Sequence, residues 1–89
     1  MEIDFSKIDL NNTIIDVRHG LDYKENHIDN SINITRLKLL NTPEKYLEKD
    51  SIYYLICDKG KVSKSVSKIL NSLGYKCYSI KGGIEGINK

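Results

Sequence analysis

An α/β fold, with helices on both faces of a central parallel β-sheet of about four to five strands, is predicted by three features of this chain. Short β-rich runs alternate with segments of helical spacing, a pattern typical of parallel sheets. The run Ile52–Ile56 holds five consecutive apolar residues, too few for a helix, and indicates a strand covered on both faces. The 89 residues contain no linker, repeat or low-complexity tract, so we expect a single domain over residues 1–89.

The composition argues against several classes of protein. The net charge is only +2, from 14 basic and 12 acidic residues, which gives no support for nucleic-acid binding. No apolar stretch approaches the ~20 residues of a membrane helix, and the acidic start is unlike a signal peptide. Two cysteines without clustered histidines form neither a disulfide framework nor a zinc site. We therefore expect a cytoplasmic monomer without cofactor or metal.

The amino-terminal part begins with a lead-in over residues 1–12 and a first central strand over 13–17. In the lead-in, three apolar side chains are spaced to form a helical turn over the sheet: Phe5, Ile8 and Leu10. A short helix with Leu21 and Tyr23 directed inwards comes next. We expect it to end at Asn26 in the left-handed conformation, because asparagine is the commonest substitute for glycine there.

The middle of the chain supplies a turn, a strand and two helical segments. Asp29-Asn30 indicates the turn, and residues 31–40 are expected to form a short strand and then a helix. Thr42-Pro43 is a helix-start signal, because a capping threonine precedes a residue whose missing N–H costs nothing there. Tyr46 and Leu47 are predicted to form the inward face of that helix.

The second half is organised around the Ile52–Ile56 strand and the helix after it. A polar loop over 58–61 follows the strand. Apolar residues then recur at helical spacing, which predicts the inward face of a helix: Val62, Val66, Ile69, Leu70 and Leu73. Gly74 is expected to end that helix. A last strand, a glycine turn and a final helical turn complete the chain: 77–80, Gly82-Gly83 and 84–87.

Cys57 lies at the carboxyl end of the central strand, where open α/β sheets bind their ligands. Backbone N–H groups of the loop and the first helical turn lack helix partners, and together with the helix dipole they form an anion site. A cysteine held there should ionise readily, and the thiolate is the nucleophilic form. Ser63 and Ser65 are candidate N-caps of the helix. Three lysines add positive charge nearby: Lys59, Lys61 and Lys64.

The other candidate residues have structural interpretations. Cys57 itself has the alternative of being a small buried hydrophobe. Cys77 begins a parallel strand while Cys57 ends one, so we expect no disulfide and a packing role for Cys77. His27 is expected to hydrogen-bond the backbone near the turn, whereas His19 follows the first strand and is a candidate to face the pocket.

The first half of the chain resembles the rhodanese (sulfurtransferase) family. That family carries Asp-Val-Arg, Glu-Tyr, Gly-His-Ile, Gly-Ala and Asn-Ile-Pro in order, and the matching segments here are Asp16-Val17-Arg18, Asp22-Tyr23, His27-Ile28 and Ile32-Asn33-Ile34. Asparagines stand at the two family glycines, Asn26 and Asn30, and asparagine tolerates positive φ. The resemblance implies that Arg18 is a structural partner of Asp22.

The second half resembles the same family over its active-site loop. Residues 57–63, Cys-Asp-Lys-Gly-Lys-Val-Ser, are similar to the family pattern Cys-x-x-Gly-x-Arg-Ser, and Ile80–Ile84 resembles its Leu-x-Gly-Gly ending. The resemblance covers about Thr13 to Ile87. It implies a rhodanese-like α/β fold and a cysteine that accepts sulfane sulfur. Ile87 lies near the place of a closing tryptophan that is common in the family and absent here.

By this resemblance the protein is expected to be a sulfurtransferase or persulfide carrier with Cys57 as catalytic nucleophile. Cys57 would take sulfur from a small-molecule or protein donor, such as thiosulfate or a persulfide, and pass it to a thiol acceptor or cyanide. The implied anion-binding loop comprises Asp58, Lys59, Gly60, Lys61, Val62 and Ser63. Val62 stands where the loop of the family often has an arginine, whose guanidinium binds anionic donors through two hydrogen bonds. We therefore expect thiosulfate to be a poor donor and a persulfide a better one.

Two other functions share this architecture. A phosphatase or arsenate reductase would also use a cysteine loop, but the loop would be one residue longer, and in a phosphatase it would end in arginine, where this chain has Ser63. A non-catalytic binding module would keep the fold and lose affinity for donors, which the valine at position 62 suggests.

Overall fold

The computed structural model describes residues 1–87 and has the predicted α/β architecture. The strands are β1 Glu2–Ile3, β2 Thr13–Asp16, β3 Ile32–Asn33, β4 Ile52–Ile56 and β5 Lys76–Ile80. The helices are α1 Gly20–Glu25, α2 Arg36–Asn41, α3 Lys61–Ser72 and α4 Gly83–Ile87, with 3-10 turns at Phe5–Lys7 and Pro43–Lys45. The strands form one parallel sheet in the order β1-β5-β4-β2-β3. That the whole chain is one domain stays a prediction, and residues 88–89 lie outside the described residues.

The central strand β4 covers the residues that the sequence predicted, and in the sheet it lies between β2 and β5. Successive side chains of a strand point to opposite faces of the sheet. Tyr53 and Leu55 therefore join the core on one face, while Tyr54 and Ile56 join the core on the other. This burial on both faces explains why the strand is a continuous apolar run rather than an alternating one.

Helices cover both faces of the sheet, as predicted. On one face, α2 and α3 contribute Leu39, Val66 and Leu70 to the core. On the other face, Ile84 of α4 packs with Phe5 and residues of the lead-in. No helix within residues 1–87 is long and apolar enough to cross a bilayer.

The buried face of α3 differs from the prediction. Val62, Ile69 and Leu73 are exposed to between 36% and 50%, and the predicted inward orientation is wrong for these three. The buried residues of this helix are Ser63, Val66, Ser67 and Leu70. These four positions follow the i, i+3, i+4, i+7 spacing of one helical stripe, in which serines replace half of the apolar residues. Small serine side chains allow α3 to lie close to the sheet.

The amino-terminal lead-in also differs from the prediction. Its first residues form β1, an edge strand paired with β5, which is too short to produce a recognisable pattern. A 3-10 turn replaces the expected helical turn, and Leu10 is 79% exposed, so its predicted position over the sheet is wrong. The segment is held instead by the buried Tyr54, whose hydroxyl accepts the N–H of Asp9 at 3.0 Å.

Two expectations for α1 are wrong. Leu21 is 66% exposed, because this short helix buries none of its residues. Asn26 has an extended backbone (φ −167°) and not the expected left-handed one, and its carbonyl accepts a hydrogen bond from the Arg18 guanidinium. The left-handed asparagine is Asn30 instead, with φ 67° in the predicted turn. Tyr23 is partly buried, as expected, and stacks on the His27 ring.

The Thr42-Pro43 signal marks a 3-10 turn rather than an α-helix. The Thr42 hydroxyl does not cap this turn but donates to the carbonyl of Lys38 at 3.4 Å. Leu47 is buried as predicted, whereas Tyr46 is 39% exposed and its predicted inward position is wrong. One turn is too short to direct two consecutive side chains into the same core.

The expected glycine end of α3 is confirmed. Gly74 adopts φ 99°, which suits a glycine directly after a helix. The following Tyr75 N–H donates to the carbonyl of Leu70 at 3.1 Å, which closes the helix end.

Cys77 is fully buried and both cysteines are free, which confirms the expected packing role and the absence of a disulfide between them. Burial raises the pKa of the Cys77 thiol to about 11 from 9.0. The folded protein therefore holds this proton at pH values where the unfolded chain has released it. The stabilisation from the neutral thiol is complete below pH 9 and is lost as the pH rises towards 11.

We therefore expect the stability advantage of wild type over Cys77→Ala to shrink between pH 9 and about 11. Because one pKa unit corresponds to about 1.4 kcal/mol, we expect a loss of about 2 kcal/mol by pH 11. Urea unfolding of both proteins at several pH values measures this difference. A constant difference across this range would contradict the assignment.

Candidate active site

The Cys57 sulfur, at the carboxyl end of β4, lies close to main-chain N–H groups of the following loop and of the first turn of α3. The amides of Gly60 and Ser63 each donate to Cys57 Sγ over 3.2 Å. The thiol also hydrogen-bonds Ser63 Oγ at 3.3 Å. The side chain is thus directed towards these polar groups rather than into apolar packing alone, although Cys57 is only 4% exposed.

Gly60 makes this loop possible. It is the N-cap of α3 and has φ 99°, a conformation that favours glycine. A Cβ at this position would lie 3.1 Å from the Gly82 nitrogen, so the close approach of the two loops also requires glycine. The prediction that Ser63 or Ser65 caps the helix is wrong: Gly60 holds the cap position, and the Ser63 side chain faces the sulfur instead.

A buried set of hydroxyls supports the loop from below. Ser63 Oγ and Ser79 Oγ are 2.6 Å apart, and both are fully buried. Each can also donate to the carbonyl of Gly60, at 3.3 and 3.4 Å respectively. The sequence interpretation missed Ser79, although its position two residues after Cys77 places both side chains on the same face of β5.

The start of α4 holds the same loop from outside. The N–H groups of Ile84 and Glu85 donate to the carbonyls of Cys57 and Asp58 at 2.9 and 3.0 Å. Gly83 lies against these two carbonyls with φ 63°. The Gly82-Gly83 turn was predicted from sequence, but its contact with the cysteine loop was not.

Arg18 pairs with Asp16, so the partnership with Asp22 implied by the family resemblance is wrong. Its Nε and Nη2 donate to the Asp16 carboxylate at 2.8 to 3.1 Å, and a weaker contact reaches Asp58 at 3.4 Å. The hydrogen bond to Asp16 raises the pKa of Arg18. Asp16 is fully buried, and the fork geometry of arginine matches both of its oxygens.

Removing the charge of Asp16 should therefore be costly, because Arg18 would keep a buried guanidinium without its partner. We expect Asp16→Asn to lower the free energy of unfolding by about 3 kcal/mol. Asp58→Asn is the matched control: the Asp58 side chain is 61% exposed, so its loss should cost less than about 1 kcal/mol. Urea unfolding measures both variants, and equal losses would contradict this assignment.

A cleft of about 380 Å³ opens above Cys57. Four basic side chains line it: Arg18, Arg36, Lys59 and Lys61. Three carboxylates share the rim: Asp22, Asp58 and Glu85. Charges of both signs therefore surround the opening above Cys57.

Some of the candidate residues identified from the sequence line this cleft, and others lie elsewhere. Val62 and His19 line it, and His19 Nδ1 accepts the Leu21 N–H at 3.3 Å. Lys64 instead contacts Glu2 at 3.8 Å. His27 hydrogen-bonds the Tyr23 carbonyl at 2.7 Å, which confirms its structural role. The sequence interpretation missed Arg36, which lies at the start of α2 and lines the cleft. The local sequence of α2 does not indicate that this end of the helix lies beside Cys57.

Residues 1–87 contain no group of three or more histidine, cysteine, aspartate or glutamate side chains that could hold a metal ion.

The parallel sheet and the loop that follows β4 define the class: an α/β domain in which main-chain amides contact a cysteine sulfur at a strand end. The model of the Rhodanese-like domain matches residues 4–89, and the chain belongs to this family. The resemblance stated from the sequence is thereby confirmed.

Curated relatives carry sulfurtransferase names. The chain is 37% identical over 73 residues to the thiosulfate sulfurtransferase GlpE of Coxiella burnetii, covering 81% of this chain and 67% of GlpE. It is 34% identical over 73 residues to the putative sulfurtransferase YtwF of Bacillus subtilis, covering 80% and 68%. It is 35% identical over 72 residues to the adenylyltransferase and sulfurtransferase uba4 of Ogataea parapolymorpha, but the match spans only 18% of that protein.

Solved structures show the same fold. A rhodanese-related protein from Thermoplasma volcanium is 32% identical with a TM-score of 0.84, over 96% of this chain and 87% of that one. Reduced CoADR-RHD of Bacillus anthracis is 26% identical with a TM-score of 0.84, and the match covers 94% of this chain and 16% of that one.

Proposed function

We propose that this protein is a rhodanese-type sulfurtransferase or persulfide carrier that accepts sulfane sulfur on Cys57 and passes it to a thiophilic acceptor. The observation that carries the proposal is the pair of N–H groups, from Gly60 and Ser63, at 3.2 Å from Cys57 Sγ. Preorganised donors of this kind stabilise negative charge without reorganisation during the reaction. They suit both a thiolate and the terminal sulfur of a persulfide.

The transfer divides into two displacements. The Cys57 thiolate attacks the outer sulfur of a donor R–S–SH; the new S–S bond forms, the donor S–S bond breaks, and R–S⁻ leaves with the bonding electron pair. The Cys57 persulfide then loses its proton to solvent. In the second step an acceptor thiolate or cyanide attacks the terminal sulfur, and the Cys57 thiolate leaves. No oxidant, reductant or cofactor enters the balance.

The Ser63 hydroxyl can follow this change of charge. In the thiol state it accepts from Cys57, while in the anionic state it can rotate to donate to the sulfur. Ser79, 2.6 Å away, is within reach of the Gly60 carbonyl that Ser63 then releases. This buried pair keeps the loop hydrogen-bonded in both charge states.

The cleft supplies attraction for an anionic donor but not a rigid anion clamp. Lys59, Lys61 and Arg36 contribute positive charge at the rim. Val62 provides no guanidinium within the loop, and a lysine ammonium recognises an oxyanion with less directionality. We therefore propose that a persulfide is a better donor than thiosulfate.

The proposal extends to the surroundings of the protein. A persulfide carrier needs reduced thiols, which the cytoplasm maintains, and both cysteines are free. We propose a cytoplasmic monomer whose partners are a small-molecule or protein sulfur donor and a thiol acceptor. Nucleic acid and membrane have no part in this reaction.

Intact-mass measurement after donor treatment tests the proposal. Cysteine persulfide, followed by removal of excess donor, should add the mass of one sulfur atom, and peptide mapping should place it on Cys57. Subsequent cyanide should remove that sulfur as thiocyanate in equal amount. Absence of the added sulfur with both cysteine persulfide and thiosulfate would favour the non-catalytic binding module that Val62 suggests.

A further inference from the structure

A second concave surface lies between α2 and α3, beside the Cys57 cleft. We call it the α2–α3 groove, and its lining is Arg36, Leu37, Leu40, Lys61, Val62 and Val66, with Ser65 at its edge. Leu37 is 74% exposed and Val62 36% exposed. The groove therefore presents apolar side chains to solvent next to a site that handles a charged sulfur.

The α2–α3 groove is continuous with the Cys57 cleft. Arg36, Lys61 and Val62 line both of them. A segment lying in the groove is therefore led across these three residues to the cleft over Cys57. A small donor such as free cysteine persulfide is too short to contact the α2–α3 groove while it occupies the Cys57 cleft, whereas a polypeptide would contact both surfaces.

The charge of the α2–α3 groove selects for an acidic occupant. Its two charged residues, Arg36 and Lys61, are both basic, and none of its lining residues within 1–87 is acidic. Its apolar lining is aliphatic (Leu37, Leu40, Val62 and Val66), and within residues 1–87 this lining includes no aromatic ring of the kind on which single-stranded nucleic acid stacks. Apolar anchors flanked by carboxylates on a polypeptide fit this surface better than RNA does.

We propose that the α2–α3 groove docks an acidic and apolar segment of a partner protein, and thereby directs that protein's cysteine to Cys57. This inference rests on the proposed function, and it specifies that the molecule exchanging sulfur with Cys57 is a protein. Leu37 and Val62 are the apolar anchor points, and Arg36 and Lys61 set the preference for acidic residues.

Binding without chemistry provides the first test. The probe is a synthetic peptide in which one cysteine is flanked by leucines and glutamates, and the comparison peptide has lysine in place of each glutamate. With the Cys57→Ser protein, fluorescence anisotropy should show at least about ten-fold tighter binding of the acidic peptide. Leu37→Glu in the same background should weaken it about ten-fold, through a lost apolar contact and like-charge repulsion.

Leu73→Glu is the matched control, because Leu73 is 50% exposed at the far end of α3. It should leave the affinity for the acidic peptide unchanged. Equal binding of the acidic and basic peptides would overturn the proposal. So would tighter binding of single-stranded RNA, or a self-association of the protein that Leu37→Glu abolishes.

Sulfur transfer provides the second test and separates this inference from the proposed function. With Cys57 intact, Leu37→Glu should slow uptake from the persulfide form of the acidic peptide about ten-fold and leave uptake from free cysteine persulfide unchanged. Equal rates for the two donors in wild type would overturn docking while leaving the sulfurtransferase intact. Selective peptide binding with no sulfur uptake from any donor would leave docking standing and defeat the sulfur chemistry.

Discussion

Replacing Cys57 by serine is expected to lower the rate of sulfur transfer from a persulfide to cyanide by about a thousand-fold or more. The hydroxyl is of similar shape, so the N–H groups of Gly60 and Ser63 keep a hydrogen-bond acceptor and the loop keeps its conformation. What is lost is the sulfur nucleophile, and a neutral hydroxyl does not form the S–S bond. Thiocyanate production under steady-state conditions measures the loss.

The second cysteine provides the control for this experiment. Cys77 is buried on β5, and its thiol remains protonated at neutral pH, so it does not compete for the donor. We expect Cys77→Ala to transfer sulfur at close to the wild-type rate, after allowance for any unfolded fraction. Persistent transfer by Cys57→Ser, or its loss in folded Cys77→Ala, would place the chemistry elsewhere.

Gly83→Ala is expected to have the largest structural effect of any glycine-to-alanine change within residues 1–87. The added Cβ would lie against the carbonyl oxygens of Cys57 and Asp58, and the residue would keep a φ of 63°. The α4 start must then move off the cysteine loop, which it binds through Ile84 N–H at 2.9 Å. An alanine held in the left-handed conformation is strained, and the displaced α4 start loses its contacts with the cysteine loop. Together these effects should lower the free energy of unfolding by at least about 3 kcal/mol.

Gly86→Ala tests the same chemical change without the contact. The added Cβ would lie 3.6 Å from the Lys81 carbonyl oxygen, which is an ordinary contact distance, and Gly86 lies within α4. Alanine is the better helix former there, so we expect unchanged or slightly higher stability, by up to about 1 kcal/mol. Urea unfolding compares the two variants, and equal stability of Gly83→Ala and Gly86→Ala would contradict the role assigned to Gly83.

Local patterns were sufficient to predict the framework of the fold. The Ile52–Ile56 run, the helix after it and its end at Gly74 were found because each is specified by residues close in sequence. The errors fall where packing between distant segments decides. The strand β1 exists only because β5 pairs with it at the sheet edge. Leu10 is exposed in the turn that follows Asp9, whose N–H donates to the Tyr54 hydroxyl.

The candidate site shows the same division. The position of Cys57 at a strand end and the adjacent amide loop followed from spacing alone. Ser79 and Gly83 support that loop from two directions, yet each lies about twenty or more positions along the chain from Cys57. Arg18 was assigned the wrong partner because side-chain pairing depends on orientation, and only the structure shows its guanidinium turned back onto Asp16.

The central claim is that the main-chain amides of Gly60 and Ser63 hold negative charge on the Cys57 sulfur. Amide NMR spectra recorded before and after loading Cys57 with one sulfane sulfur test it most directly. We predict that these two amide protons show the largest shifts in the spectrum and return to their first positions when cyanide removes the sulfur. If a persulfide on Cys57 leaves both amides unmoved while other residues respond, the loop does not bind the sulfur and this account is wrong.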